Sequence, residues 1–267
     1  NAVFALLAIL FFIFWKERKA RIYFVLSLIS IILSLLFHEL GVIVPLLIIL
    51  YDFVTQERLF LKIHLKRYLV LLSPILPYLL LRLIAKSHWF SGDYSYNLLL
   101  LPFNIVGNII GYLGLVIFGS STLPFYQSLR NFSKDQMLFS IPAIIIAVFI
   151  VTIIYRMIFR KMIHEEQRIV IFGSLFFVIA LLPFLGLGNI TSRYSYLATA
   201  GLAIIFAFFL KKIYSYLSNF NGRYIGLAST AAVFIVFASL QLFQLQKIQT
   251  DWRVAGEKSK RFIISLE

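Results

Sequence analysis

Two short polar segments in an otherwise apolar chain carry the side chains best suited to chemistry. The first is His38-Glu39, which lies between two apolar runs. The second is a polar turn in which Arg193 precedes Tyr194 and Tyr196. An arginine can bind a phosphate through a fork of hydrogen bonds, and tyrosines can stack on a ring or reach a phosphoryl oxygen. The pattern therefore makes the arginine turn a candidate site for an anionic ligand.

Each segment also has a purely structural interpretation. Arg193 can be an interfacial arginine that extends its guanidinium to lipid headgroups within an aromatic belt. His38-Glu39 can be the capped tip of a tight helical hairpin. In the functional interpretation, Glu39 acts as a base, positions a hydroxyl or pairs with Arg193. A charged side chain at membrane depth needs a partner or a wet cavity, so the sequence predicts a polar chamber at one membrane face.

Other catalytic patterns are missing from the sequence. It contains no HExxH, no DxD and no paired-histidine spacing, so it does not indicate a metal site. It has no cysteine, which excludes disulfides and thiolate ligands. Three residues are secondary candidates: Asp93, a predicted external carboxylate more simply explained as solvated, Arg82, which can snorkel from the end of its helix, and Arg130.

The elements that must position these residues are predicted to be membrane helices. The chain of 267 residues is 61% hydrophobic and 13% charged, whereas a soluble domain is nearer half apolar and a quarter charged. A net charge of +14 would suggest nucleic acid as the partner of a soluble protein. Here the cations form short clusters between apolar runs, which is typical of cytoplasmic loops. We therefore predict an all-α, polytopic membrane protein that does not bind nucleic acid.

The apolar runs predict about eight spans, each needing about 20 residues. The first run is short because the chain begins inside it, and we expect part of the protein to precede Asn1. Pro74 and Pro77 are expected to kink the fourth span. Residues 1–243 then form the membrane domain and residues 244–267 begin an external C-terminal segment. The predicted spans are 1–15, 22–37, 41–54, 68–85, 137–155, 169–187, 197–210 and 225–243.

The region 86–136 is predicted to lie outside the membrane or to re-enter it. Its apolar part, Leu98–Phe118, is broken by proline, glycine and asparagine, so we expect it to be re-entrant or flat on the outer face. Asn104, Asn108 and Tyr112 recur every four residues and form one polar stripe. The following segment, Gly119–Gln136, is predicted to be a loop.

Basic residues set the predicted orientation. If Leu98–Phe118 does not cross, the connectors on one side hold 15 lysines and arginines and the opposite loops hold 4, which marks the basic side as cytoplasmic. His38-Glu39, the region 86–136 and Arg193 then face the exterior together. If it crosses, the later loops invert, and counting the C-terminal tail then leaves the two models with nearly the same charge excess, so charge alone does not decide between them. The basic connectors are 16–21, 55–67, 156–168 and 211–224, and Gln56–Arg67 is predicted to be an amphipathic surface helix.

Two motifs resemble those of a known superfamily. The first is His38-Glu39, followed by Pro45 and closing at Leu50-Tyr51-Asp52; the second is Arg193-Tyr194-Ser195-Tyr196-Leu197, followed by Gly201. Both are similar to the GT-C superfamily of polytopic glycosyltransferases, in particular to bacterial relatives of protein O-mannosyltransferases and of transmembrane, tetratricopeptide-repeat mannosyltransferases. The family usually has lysine or arginine before the glutamate, where this chain has His38.

The resemblance implies an N-terminally truncated GT-C-like fold and an activity. A sugar would move, with inversion, from a polyprenyl-phosphate donor to an acceptor hydroxyl of a protein or glycan, at the outer face of a bacterial inner membrane. Arg193 would bind the donor phosphate, Tyr194 and Tyr196 the donor head, and His38 and Glu39 would shape the chamber. The catalytic base would be an external carboxylate upstream of Asn1.

The implied partners are membrane lipids, the lipid-linked sugar donor and the acceptor, with no further cofactor identified. Two alternatives stay open at this point. One is a transporter or flippase for a lipid-linked substrate, which would favour charged residues near the bilayer midplane and internal repeats. The other is a non-catalytic membrane scaffold for an external domain.

Overall fold

The computed structural model is built from α-helices. It describes residues 2–55, 61–85, 100–136 and 162–264, with 142, 145, 146, 149, 150, 152, 153, 155, 156 and 160. Across these residues, the predicted all-α class is confirmed. The helices are α1 (Ala2–Arg18), α2 (Arg21–Phe37), α3 (Val44–Thr55), α4 (Leu61–Leu72), α5 (Ile75–Ile84), α6 (Leu101–Phe118), α7 (Leu123–Asp135), α8 (His164–Leu185), α9 (Tyr196–Asn221) and α10 (Arg223–Ile264), with 3-10 helices at Glu39–Ile43, Ser120–Thr122 and Ser192–Tyr194.

Several helices have the length and composition of membrane spans. Among the described residues, five segments are long and apolar enough to cross a membrane: Leu65–Ile84, Leu101–Phe118, His164–Leu185, Tyr196–Asn219 and Arg223–Ile264. The helix Arg21–Phe37 is apolar but shorter. The total of about eight spans stays a prediction, and most of the predicted span Met137–Tyr155 lies outside the described residues.

The segment expected to be broken forms one continuous helix. Residues Leu101–Phe118 are α-helical throughout. Pro102 does not interrupt α6 because it occupies the first turn, where the missing N–H has no helical partner to lose. The predicted re-entrant or flat placement of this segment stays a prediction, but its interruption by proline and glycine does not occur.

Two further expectations of local structure differ from the fold. The predicted surface helix Gln56–Arg67 is not a separate element, because residues 61–67 are the first turns of α4, which continues to Leu72. Residues 56–60 lie outside the described part of the chain. The predicted loop Gly119–Gln136 instead contains the helix α7, with a proline in its first turn. The expected kink is confirmed at Pro74, where α4 ends and α5 begins.

The helices group into two compact units. Unit 1 comprises residues 1–109 and 151–205, and unit 2 comprises residues 110–150 and 206–267. In unit 1, α1 packs along α2 and also contacts α3, while α3 packs on α8. The predicted hairpin of α2 and α3 is present at its tip, where both helices contact the 3-10 helix Glu39–Ile43. Along its length, α2 packs chiefly against α1. Small side chains allow this approach, since Ala5, Ala8, Ser27 and Ser34 are fully buried.

A reciprocal glycine contact joins α8 to the first part of α9. A Cβ atom on Gly173 would lie 2.7 Å from the carbonyl oxygen of Gly201, and a Cβ on Gly201 would lie 2.6 Å from that of Gly173. Only glycine at both positions permits this backbone approach. Gly201, which belongs to the arginine motif, therefore sets the helix packing beneath the turn that carries Arg193.

In unit 2, α10 is one uninterrupted helix that contains the last predicted span, 225–243, and continues into the predicted C-terminal segment, 244–267. It contains 42 residues. At 1.5 Å per residue its length is about 63 Å, roughly twice the hydrocarbon thickness of a bilayer. Residues 244–264 are helical and belong to this same helix, and their external location stays a prediction.

Candidate functional site

The tip between α2 and α3 is built around His38 and a glycine. His38 is extended, and its Nδ1 accepts a hydrogen bond of 3.2 Å from the Leu40 amide, which caps the 3-10 helix Glu39–Ile43. A Cβ on Gly41 would lie 2.5 Å from the Leu35 nitrogen, so the tip folds back closely on the end of α2. The structural interpretation of His38 as a capping residue is confirmed.

Glu39, the other tip residue, is paired with α5. Arg82 Nη1 lies 2.6 Å from Glu39 Oε2, and the same nitrogen donates to the hydroxyl of Tyr78 at 3.2 Å. Of the three roles left open for Glu39, pairing with Arg193 is not the one observed, because the guanidinium that reaches this carboxylate comes from Arg82. The proposed snorkelling of Arg82 to headgroups is replaced by this ion pair, whose two side chains are part-exposed.

The arginine turn rests on a pair of stacked rings. Tyr194, only 4% exposed, stacks on Phe184 with ring centroids 3.9 Å apart and an interplanar angle of 6°. Arg193 Nη2 donates to Tyr194 Oη at 3.3 Å, and its Cζ lies 5.2 Å from the centroid of that ring. Tyr196, by contrast, is 71% exposed. Tyr194 therefore supports the exposed guanidinium, and Tyr196 is the tyrosine open to a ligand.

Two asparagines that the sequence placed on a polar stripe hold this turn in place. Asn108 Nδ2 donates to the carbonyl oxygens of Phe184, Leu185 and Leu187 at 3.2, 2.9 and 3.0 Å, and Asn104 Nδ2 donates to that of Gly186 at 3.2 Å. The last carbonyls of a helix have no partner within it. The α6 amides supply those partners to α8, and so fix the start of the segment that leads to Arg193.

The tip and the arginine turn lie at the same end of unit 1. The 3-10 helix Glu39–Ile43 contacts α8. The helix α8 begins near Thr55, because Arg168 in its first turns lines a cavity together with Thr55. It ends at Phe184, whose ring supports Tyr194. Three charged residues, Glu39, Arg82 and Arg193, are thus placed toward one end of the unit.

The opposite end contains a buried carboxylate that sequence reasoning missed. Asp52, 3% exposed, accepts hydrogen bonds from Lys16 Nζ at 2.5 Å and from Tyr68 Oη at 2.6 Å. Lys16 also donates to Thr55 Oγ1 at 3.2 Å. The sequence analysis placed Asp52 only at the end of the first motif, whereas in the structure this carboxylate joins α1, α3 and α4. An acidic residue within an apolar run was the signal that could have identified it.

An apolar groove runs along unit 1 between these ends. One cavity of about 490 Å³ is lined by α1 from Val3 to Ile13 and by Ala200, which lies one turn along α9 from Tyr196. A second cavity of about 280 Å³ shares Tyr51, Phe172 and Ile204 with the first and extends to Arg168. The lining is suited to a hydrocarbon chain.

The secondary candidates are distributed differently. Arg130 is buried on α7 in unit 2, beside Tyr126. Burial raises the pKa of the Tyr126 hydroxyl, and the positive charge of Arg130 opposes that rise. Asp93 lies outside the described residues. Within the part of the chain that the structure describes, no three His, Asp or Glu side chains are grouped so that they could hold a metal ion.

The fold defines a class of protein. It is all-helical in its described part, with five helices long and apolar enough to cross a membrane, which is compatible with a multi-pass integral membrane protein. Comparison with protein family models, curated proteins and solved structures finds no match for this chain.

Proposed function

We propose that this chain is the membrane portion of an inverting glycosyltransferase of GT-C type. It would transfer a sugar from a polyprenyl-phosphate donor to an acceptor hydroxyl on a protein or glycan. The arginine turn carries the proposal, because it presents an exposed guanidinium on a stacked tyrosine at the end of unit 1 that also bears Glu39 and Arg82. The resemblance of both motifs to GT-C glycosyltransferases supports it.

Arg193 would act on the leaving group. In the reaction, the acceptor oxygen forms a bond to the anomeric carbon while the bond from that carbon to the donor phosphate oxygen breaks. Negative charge then grows on the departing polyprenyl phosphate. A guanidinium within hydrogen-bond reach stabilises this charge more in the transition state than in the ground state. The acceptor proton passes to a base, for which the resemblance implies a carboxylate on an external loop.

The groove supports a lipid-linked donor. Its lining includes Ala200, one turn from Tyr196, and continues along α1 and α8 with apolar side chains. A donor whose phosphate is bound by Arg193 and whose head contacts Tyr196 would extend its polyprenyl chain into this groove. Glu39, fixed by Arg82, would shape the chamber on the side of the acceptor.

The arrangement of charge favours an enzyme over a transporter. A transporter or flippase would hold ionised groups near the bilayer midplane. The ion pairs Glu39–Arg82 and Asp52–Lys16 instead lie at opposite ends of unit 1. Under the positive-inside rule, the basic end with Lys16 and Arg67 would be cytoplasmic, so the arginine turn would face outward, in a bacterial inner membrane.

Substitution of Arg193 in the full-length protein tests the proposal. We expect Arg193→Ala to lower sugar transfer from radiolabelled polyprenyl-phosphate mannose or glucose about 100-fold, the typical loss when one transition-state donor is removed. Arg193→Lys should retain part of the activity, since the charge persists without the fork.

The matched control is Arg223→Ala, which removes an exposed arginine of unit 2. It should transfer sugar at the wild-type rate, and all three variants should be monodisperse by size-exclusion chromatography. Wild-type activity in Arg193→Ala, or no transfer from either donor by the wild-type protein, would contradict the proposal.

A further inference from the structure

The helix α7 distributes its side chains in an unusual way. It buries an arginine, Arg130, at 7% exposure, and with it Tyr126. Its large apolar side chains point away from the protein, with Phe125 at 72% exposure and Leu129 and Phe132 also exposed. Exposed apolar patches on a folded protein mark surfaces that contact another apolar phase.

The side chains of α7 form three faces. With about 100° between successive residues of an α-helix, Phe125, Leu129 and Phe132 fall within an arc of about 60°. The packed residues Tyr126 and Arg130 lie about 120° around the helix in one direction. The face in the other direction carries exposed Gln127 and Asn131. A helix that rests on a membrane beside its own protein needs one face toward protein, one toward lipid and one toward water.

The apolar face of α7 comes directly after α6 in the chain. The helix α6 is apolar enough to cross a membrane, and it leaves Ile117 and Phe118 exposed in its last turn. Only the short turn 119–122 separates it from α7. The exposed apolar side chains at the end of α6 are therefore followed, after this turn, by a helix with its own exposed apolar face.

A polar layer fixes this junction. Gln241 Nε2 donates to the carbonyl oxygens of Val116 and Ile117 at 3.2 and 3.1 Å. Gln244 Nε2 donates to that of Phe118 at 2.6 Å. These amides from α10 supply partners to the last carbonyls of α6, which have none within their own helix.

We propose that α7 is an interfacial helix, with Phe125, Leu129 and Phe132 inserted at the boundary between lipid headgroups and acyl chains. The occupant of the apolar face is the bilayer, because the face follows directly on the exposed apolar end of α6, a helix that is itself apolar enough to cross a membrane. Arg130 is turned into the protein and the water-facing side carries Gln127 and Asn131. This assignment goes beyond the proposed glycosyl transfer and does not depend on it.

The absence of cysteine from the sequence makes a direct test possible. Single substitutions Phe125→Cys, Leu129→Cys and Phe132→Cys, each carrying a nitroxide spin label, report on the apolar face. Gln127→Cys and Asn131→Cys are matched controls on the polar face of the same helix. Each variant is reconstituted in vesicles of phosphatidylethanolamine and phosphatidylglycerol, and its collision rates with oxygen and with a water-soluble nickel complex are measured.

We expect labels on the apolar face to collide more with oxygen and less with the nickel complex than labels on the polar face. Equal exposure of both faces to the nickel complex would overturn the proposal, since α7 would then lie in water. Labels at Phe125 and Phe132 shielded from both reagents would also overturn it, because a protein segment or a second copy would cover the face. Three independent positions keep the test decisive if one variant does not fold.

Discussion

Arg82 Nη1 and Glu39 Oε2 lie 2.6 Å apart, and this ion pair joins the end of α5 to the tip between α2 and α3. At the opposite end of α3, Tyr68 of α4 donates to Asp52. The two contacts are separated by about 20 Å along the helices. They connect α3 at both ends to the α4–α5 segment, with apolar residues between, as expected of antiparallel helices.

Loss of the tip ion pair should cost little stability by itself. Because both side chains are part-exposed, we expect Arg82→Met and Glu39→Gln each to lower the free energy of unfolding by about 1 kcal/mol. The double variant that exchanges the two charges, Arg82→Glu with Glu39→Arg, should recover part of the lost free energy of unfolding. Unfolding in mixed micelles measures these values, and a coupling energy near zero in the double-mutant cycle would show that the pair does not form.

Loss of the buried carboxylate should cost more. Asp52→Ala leaves the Lys16 ammonium and the Tyr68 hydroxyl without this acceptor, and we expect a loss of about 3 kcal/mol in the free energy of unfolding. Asp52→Asn, which keeps an acceptor oxygen, should lose less. The control Asp251→Ala removes an exposed carboxylate on α10 and should change stability by less than about 0.5 kcal/mol. Equal effects of Asp52→Ala and Asp251→Ala would argue against the buried cluster.

Removal of the amides that bind the end of α8 should destabilise unit 1. Asn108 donates to three carbonyl oxygens. We therefore expect Asn108→Ala to lower the free energy of unfolding by about 2 kcal/mol and to lower the thermal unfolding midpoint. Asn104→Ala, which removes a bond to one carbonyl, should cost about 1 kcal/mol. Asn131→Ala, on the exposed face of α7, is the matched control. The assignment fails if all three variants unfold at the wild-type midpoint.

The glycine contact between α8 and α9 should not tolerate a methyl group. Since a Cβ on Gly201 would lie 2.6 Å from the Gly173 carbonyl oxygen and 2.8 Å from the Phe177 nitrogen, Gly201→Ala should cost about 2 kcal/mol through overpacking. Gly256→Ala, where nothing lies near the added Cβ, should instead stabilise α10 by up to about 1 kcal/mol. Wild-type stability of Gly201→Ala would mean that the two helices do not approach this closely.

Several local features followed from the sequence because they depend on neighbouring residues alone. Pro74 ends α4 since its ring and missing N–H interrupt a helix wherever they occur in its interior. His38 caps the tip through a bond to an amide two residues away. The polar stripe that includes Asn104 and Asn108 follows from the helical period, which places residues four apart on one face.

Other features could not be predicted because their partners are distant in sequence. The apolar surroundings of Glu39 and Asp52 show that these carboxylates need partners but not which helix supplies them. The sequence therefore left the partner of Glu39 open, with Arg193 as one candidate, and the structure supplies Arg82. The sequence does not show which face of α7 is apolar and exposed, because the segment is short and polar. The burial of Arg130 in the tertiary structure defines that face.

The sequence by itself determined that this protein is helical and apolar enough for a membrane, since composition and hydrophobic run length depend only on residue types. It also identified the arginine turn as a candidate for phosphate. Only the tertiary structure decided that Arg82 pairs with Glu39, that Tyr194 supports Arg193 rather than facing a ligand, and that Asn108 binds the end of α8. Those outcomes depend on which helices pack together, and that choice is made by side-chain fit across contacts between residues far apart in the chain.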